Sequence, residues 1–376
     1  MKIETLAVHA AAEPDPATGA VATPIALSTT FRHGPAGERE AGFEYIRGTG
    51  NPVEKRLETA LAALEQGEAA MVFASGMAAA TALFSSLPPG SHALIPRDVY
   101  MGMRVLGRDF LAPLGITVSS ADTTSVEQLA TSMTSTTRLV WLETPSNPKL
   151  EVSDIAAIAK LAHARGAIVA VDNTFATPLL QQPLALGADV VMHSATKYFG
   201  GHSDVMGGAL VFARRDTLAT RVDDYRHATG GVLAPFNSWL ILRGLRSMPA
   251  RVAWHCRNAR AVAEFLAMRD EVARVNWPGL PTHANHAVAR AQMRDFGGML
   301  SIEMAGGREA ALRLASRLKL FTNATSLGGV ESLVEHRASV EGENPHSPQS
   351  LLRFSVGLEH PDDLVEDLRQ ALDQYE

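Results

Sequence analysis

Three groups able to do chemistry stand at the ends of apolar runs. Lys197 lies in VMHSATKYFGGHSDVMGG (191–208), just past the run Ala188–His193, with hydroxyls at Ser194 and Thr196 and a glycine-rich loop behind it. It reads either as a surface lysine at a strand end or as a reactive amine. Asp172 ends the run AIVAVD and precedes Asn173-Thr174. A carboxylate at the end of a buried strand needs a partner or water, so Asp172 is either a helix cap or the partner of a cationic heterocycle nitrogen. Ser75-Gly76-Met77 opens a helix whose first N–H groups lack intrahelical partners. Such a start suits a phosphate, and it equally suits a glycine kept for close packing.

The elements around these groups alternate. Asn51-Pro52 caps and starts a helix with Val53, Leu57, Leu61 and Leu64 on one face, stopped by Gly67. Strands are expected at 71–74, 92–96, 116–121, 138–143, 167–172 and 188–193. Helices are expected at 76–87, 103–112 and 154–165, with another opened by a capping box of Thr124 and Glu127. Near-continuous apolar strands between helices imply a mostly parallel sheet covered on both faces, which binds ligands beyond its carboxyl ends. Ser75, Glu143, Asp172 and Lys197 all fall there. Residues 1–44 read as an extended arm contacting a neighbouring subunit, 45–240 as the sheet domain and 241–376 as a smaller α/β domain. The smaller domain has helices near 250–268, 308–318 and 362–374 and strands near 272–275, 299–304 and 352–356; GENPHSPQS (342–350) is a loop.

Composition narrows the function classes. Hydrophobic residues are 46% and charged residues 20% of 376, ordinary for a globular chain. A net charge of −6 argues against nucleic acid as a partner. Cys256 is the only cysteine, so there is neither an internal disulfide nor a cysteine metal cage, and His283 and His286 read as surface residues and not as ligands. MKIETLAVHA has no apolar core of a signal peptide, and the uncharged stretch 69–87 reads as a buried strand turning into a helix, so the expected location is cytoplasmic, with no membrane partner.

A lysine, a buried aspartate and a phosphate-binding helix start are what pyridoxal 5'-phosphate requires: an amine for its aldehyde, and an anion that keeps its pyridine nitrogen protonated. Ser194 and Thr196 add hydroxyl donors for the phosphate, and Tyr100, after HALIP, is placed to stack on the ring. The segments YIRGTGNPVEKRLETALAALEQG, FASGMAA, DVY, WLETPSNP, VDNTFATPLLQQPLALGADVVMHSATKYFGGHSD, SLGGVESL and LLRFSVGLE together resemble the Cys/Met-metabolism, or trans-sulfuration, family of pyridoxal-phosphate enzymes over nearly the whole chain. That resemblance implies the α/β fold-type I architecture, a large mostly parallel sheet domain plus a smaller C-terminal domain. It implies that Lys197 is the Schiff-base lysine and general base, with Tyr100 as a second catalytic group. Asp172 pairs with the pyridine nitrogen, Gly76, Met77, Ser194 and Thr196 hold the phosphate, and Asn147 lies near the ring hydroxyl. Tyr45 and Arg47 reach the phosphate of an adjacent subunit in a homotetramer built as a dimer of dimers. Arg353 clamps the substrate α-carboxylate, with Ser326, Asn147 and Glu331 as the other substrate-binding residues. Trp141, Phe199 and Cys256 read as core.

The same resemblance implies γ-elimination or γ-replacement on a homoserine- or homocysteine-derived amino acid, most closely as cystathionine γ-lyases and γ-synthases do. Leu327 stands where β-lyases carry tryptophan, which disfavours β-elimination. No cysteine follows Tyr100, unlike methionine γ-lyases, yet Met101 and Met103 depart from the γ-synthase pattern and Arg104 falls one position early. A methionine γ-lyase or O-acyl-homoserine sulfhydrylase therefore stays an alternative. A nucleotide oxidoreductase lacks its Gly-x-Gly-x-x-Gly signature here. A catalytically silent pyridoxal-phosphate-binding regulatory homologue would be expected to lack Lys197 or Arg353, and both are present.

Overall fold

The computed structural model describes residues 1–343 and 345–373. Seven strands, β1 (Ala69–Phe73), β2 (His92–Pro96), β3 (Thr117–Ala121), β4 (Thr137–Glu143), β5 (Ile168–Asp172), β6 (Val190–His193) and β7 (Gly208–Phe212), form one sheet in the order β1-β7-β6-β5-β4-β2-β3. All pairings are parallel except those of β7, which runs antiparallel between β1 and β6. The central strands are buried along nearly their whole length, which explains their unbroken Val, Ala and Leu runs. Their carboxyl ends lie in register, with Glu143 beside Asp172 and Asp172 beside Met192, so one sheet edge gathers the residues that can do chemistry.

A second sheet is built from β8 (Val272–Asn276), β9 (Met299–Met304), β10 (Thr322–Asn323), β11 (Leu333–His336) and β12 (Leu351–Ser355) in the order β10-β11-β12-β9-β8. It is antiparallel apart from the β10–β11 pair. The 32-residue helix Pro235–Leu266 joins the two halves and carries Pro249 inside it. The expected start at Ala250 and the expected boundary at 240/241 both fall within this helix. A proline inside a helix removes one hydrogen bond, yet Ile241, Leu245, Met248 and Val252 are buried in one core, and that burial outweighs the missing N–H of Pro249.

Several expectations need correcting. The arm is not extended throughout, because Ile3–His9 is a helix whose Ile3 and Ala7 pack into the core of their own chain beside Leu57 and Leu61. The helix Pro52–Glu65 is stopped by Gln66, which caps it in the left-handed conformation, and not by Gly67. Gly67 is glycine for space, since a Cβ there would lie 2.5 Å from Val211 Cγ1 and 2.7 Å from the Phe212 carbonyl oxygen. Ser125, not Thr124, caps Val126–Ser132, accepting from Gln128 N, while Thr124 turns its hydroxyl to Asp122. The helix expected at 103–112 is Met101–Val105, continued by wider and tighter turns to Leu114. His283 is partly buried against the Leu150 carbonyl, and His286 begins the helix His286–Gln292. Gln374, the end of the last expected helix, and Asn344 of the 342–350 loop lie outside the described residues. Trp141, Phe199 and Cys256 are buried. Among the described residues no helix is long and apolar enough to cross a membrane.

Candidate active site

A cavity of about 380 Å³ opens at the carboxyl edge of the large sheet and reaches the second sheet. Its floor is Asp172 and Glu143, its corner Ser75–Met77, and one wall Ser194, Thr196 and Lys197. Tyr100 and Asn147 line it too, Ser326 comes from the segment between β10 and β11, and Arg353 comes from β12. Thus ten of the residues expected at the site share one space: Lys197, Tyr100, Gly76, Met77, Asn147, Asp172, Ser194, Thr196, Ser326 and Arg353.

Lys197 follows β6 in a tight turn, its N–H donating to Ser194 O, and its Nζ donates to Ser326 Oγ at 2.7 Å. Burial, reinforced by the charge of Arg353 and opposed by Glu335, brings the amine down from 10.5 to about 8. Ser326 holds φ +89, a region that a non-glycine residue occupies only when its surroundings impose it. Here the surroundings are visible: its hydroxyl takes Lys197, and its carbonyl accepts from Arg353 Nη2 at 3.1 Å. Arg353 Nη1 donates to Asn147 Oδ1 at 3.0 Å, and Nη2 also donates to Glu335 at 2.7 Å. Burial lowers this guanidinium to about 10, so it keeps its charge at neutral pH.

The two floor carboxyls differ. Burial and then the Asp172 charge push Glu143 well above the usual carboxylate range. Asp172 is also raised by burial, but Thr174 holds it down by donating both its N–H and its hydroxyl to Oδ1. The two Thr174 donors favour the charged form of Asp172 against its burial. Glu143 accepts from Tyr100 N at 3.0 Å, which fixes the start of the helix bearing Met101 and Met103. At the corner, Ser75 caps the ten-residue helix Gly76–Ser85 by accepting from Ala78 N. A Cβ on Gly76 would lie 2.9 Å from Met192 Cε and 3.1 Å from Ser194 Cβ, so glycine lets this backbone approach Ser194.

Three expected residues are not brought into the cavity by their own chain. Arg47 donates to the His227 carbonyl at 2.9 Å and lies beside the half-exposed Tyr45 ring. Glu331 accepts from the Ser203 hydroxyl and faces an adjoining cavity of about 360 Å³, which shares Thr196, Thr325 and Ser326 with the first. Arg104 turns back to the Arg97 carbonyl and leaves the wall to Met77, Met103, Met206, Phe175 and Leu327. Two residues that the sequence reading missed are Glu335 and Arg337. Arg337 lines the cavity, and Glu335 faces Arg353 across the β11–β12 pair. Charged residues in an otherwise apolar strand end, LVEHR, were the available signal.

A model of the family described as Cys/Met metabolism PLP-dependent enzyme matches residues 4–373. The cystathionine gamma-synthase of Mycobacterium tuberculosis (strain ATCC 25618 / H37Rv) is 48% identical over 374 residues, covering 98% of this chain and 96% of its own. The crystal structure of metB from Corynebacterium glutamicum matches with a TM-score of 0.96 at 42% identity, covering 100% of this chain and 99% of that one. Apo CalE6, a methionine gamma lyase from Micromonospora echinospora, matches with a TM-score of 0.93 at 44% identity, covering 99% of each chain.

Proposed function

The chain belongs to the Cys/Met metabolism family of pyridoxal-phosphate-dependent enzymes, and from that premise we propose that it performs γ-replacement or γ-elimination on a homoserine- or homocysteine-derived amino acid. The residues present fit the cofactor. A lysine amine of lowered pKa, a buried carboxylate held by Thr174 donors and a helix start with close glycine backbone share one cavity. Gly76, Met77, Ser194 and Thr196 would hold the phosphate, Tyr100 the ring face, Asn147 the ring hydroxyl and Asp172 the pyridine nitrogen. When bound, pyridoxal phosphate supplies an aldehyde that condenses with amines and a protonated ring that takes up electron density from the substrate Cα.

The protein's own part follows from its geometry. Arg353, held by Glu335, Asn147 and the Ser326 carbonyl, has N–H groups left over for the substrate α-carboxylate. With the cofactor bound, Lys197 Nζ would take the Cα proton, hand it to the adjoining cofactor carbon, then take a Cβ proton in turn and give that one to the departing γ-substituent. A base so positioned contributes roughly a hundred- to ten-thousand-fold in rate. The Ser326 hydroxyl orients the amine between these steps. Met77, Met103, Met206, Phe175 and Leu327 keep the γ end dry. The observation that carries the reading is the Lys197–Ser326–Arg353 chain, which ties the base to the carboxylate ligand through one residue.

Cystathionine γ-synthase or γ-lyase chemistry is the first reading. The apolar wall, with Arg104 turned away, favours a second, in which the substrate ends in a short thioether as in a methionine γ-lyase. The proposal includes a partner subunit that receives Tyr45 and Arg47, in a tetramer of two such pairs. Cystathionine and 2-oxobutyrate should be measured from an O-acyl-homoserine with and without L-cysteine, and from L-cystathionine and L-methionine. Cystathionine formed from the ester and cysteine supports the first reading. Methionine as the best substrate replaces it with the second, and no turnover of any of these refutes both.

A further inference from the structure

We propose that Arg337 is a positioning residue for the substrate-carboxylate subsite, acting through Glu335 to keep that subsite cationic. The inference rests on Arg353 being the carboxylate ligand. Glu335 on β11 lies directly across from Arg353 on β12. Arg353 Nη2 and Arg337 Nη1 both donate to the same oxygen, Glu335 Oε2, each at 2.7 Å, while Glu335 Oε1 is buried without a partner. All three side chains are nearly inaccessible, and Arg337, 6% exposed, also lines the cavity.

The charges explain why two guanidinium groups share one oxygen. A buried one-to-one pair of Arg353 and Glu335 is neutral and offers an incoming carboxylate little net attraction. A second guanidinium on the same oxygen draws on that anion and leaves the trio with a net positive charge facing the cavity. Arg337 has one further anion, Glu341, at the longer distance of 3.5 Å. Glu341 is itself engaged by the N–H groups of His346 and Ser347 and by the Ser347 hydroxyl, whose donation spreads its charge into the following segment. Removing the Arg337 charge therefore lets Glu335 neutralise Arg353. Removing the Glu341 charge does the reverse.

The test compares binding of L-norleucine and n-pentylamine, the same molecule without its carboxylate, to the holoenzyme as competitive inhibitors. Arg337→Gln should weaken norleucine by about tenfold or more, the size of effect that a unit charge several ångströms away exerts at an effective dielectric near 20. Pentylamine should hold within about twofold, and Arg337→Lys should restore most of the norleucine affinity. Glu341→Gln should tighten norleucine and leave pentylamine alone, a result independent of whether Arg337→Gln folds. Equal loss of both ligands in Arg337→Gln, or unchanged or weakened norleucine binding in Glu341→Gln, overturns the inference. Arg353→Gln separates the two levels. If it abolishes the preference for norleucine while Arg337→Gln does not alter it, the Arg353 reading stands and the inference falls. If Arg353→Gln leaves the preference intact, the Arg353 reading falls first.

Discussion

In the cofactor-free chain the Lys197 amine should titrate near pH 8 instead of 10.5, because burial and Arg353 disfavour its charge. At pH 8 about half of it is then neutral, against about 0.3% of an ordinary lysine, a gain of roughly 150-fold in reactive amine. Acylation by an amine reagent, followed by peptide mass spectrometry from pH 6 to 11, reads this directly, with exposed Lys160 as the internal reference. Lys197 modification should rise tenfold per pH unit at first and flatten above about pH 9, while Lys160 keeps rising. Glu335 opposes the shift, so Glu335→Gln should move the midpoint lower. Stability gives a second readout with a defined sign. The unfolded lysine holds its proton between pH 8 and 10.5 where the folded one does not, so stability from this group rises with pH across that window. Cofactor-free Lys197→Met should accordingly exceed wild type by about 2–3 kcal/mol at pH 7, and the excess should shrink towards pH 10.5. A Lys197 midpoint near 10, or a midpoint raised by Glu335→Gln, would refute the reasoning.

Other substitutions test the corner, the wall and the support beneath the site. Gly208→Ala puts a Cβ 2.1 Å from Ser75 O and 2.7 Å from Gly76 N. Both are backbone atoms that cannot step aside, so a loss of about 3 kcal/mol or more in chemical denaturation is expected, with weakened cofactor retention. Gly102→Ala places a Cβ 2.6 Å from Tyr100 Cε1 and 3.0 Å from Met77 Sδ. Those side-chain atoms can move, so the melting temperature should change by only a few degrees, roughly 1 kcal/mol, while kcat falls about tenfold. Unchanged kcat would show that the Tyr100 ring position is not needed. Glu65 accepts from buried His193 and from Asn173, beneath the strand ends that carry Ser194 and Asp172. Glu65→Ala strands both donors and should cost about 3–5 kcal/mol in a denaturant titration.

How much of this could be read beforehand depends on the kind of contact. Lys197, Asp172 and Ser75–Gly76 were legible because a parallel sheet sends its strand ends to one edge, so each residue's place follows from its own strand. Arg353 was found through its motif, but its partner Glu335 was not, because their contact is set by the register of β11 on β12 across an 18-residue separation. β7, the apolar run GALVF, was not among the expected strands, and nothing local marks its antiparallel return between β1 and β6. Glu331 was assigned by its place in a motif, and the tertiary structure turned it aside to Ser203, whereas Arg104, one position early in its motif, turns to the Arg97 carbonyl. Local chemistry misled at the helix ends too, where Ser125 and Gln66 took roles expected of Thr124 and Gly67.

The central claim is that Lys197 is the amine that binds the cofactor aldehyde and then serves as base. Borohydride reduction of the purified holoenzyme, followed by peptide mapping, tests it most directly. The cofactor mass should appear on the peptide containing Lys197, and Lys197→Ala should be colourless and unmodified yet melt as a folded chain. Modification on a different lysine, or none on a protein that still turns over substrate, would contradict the account.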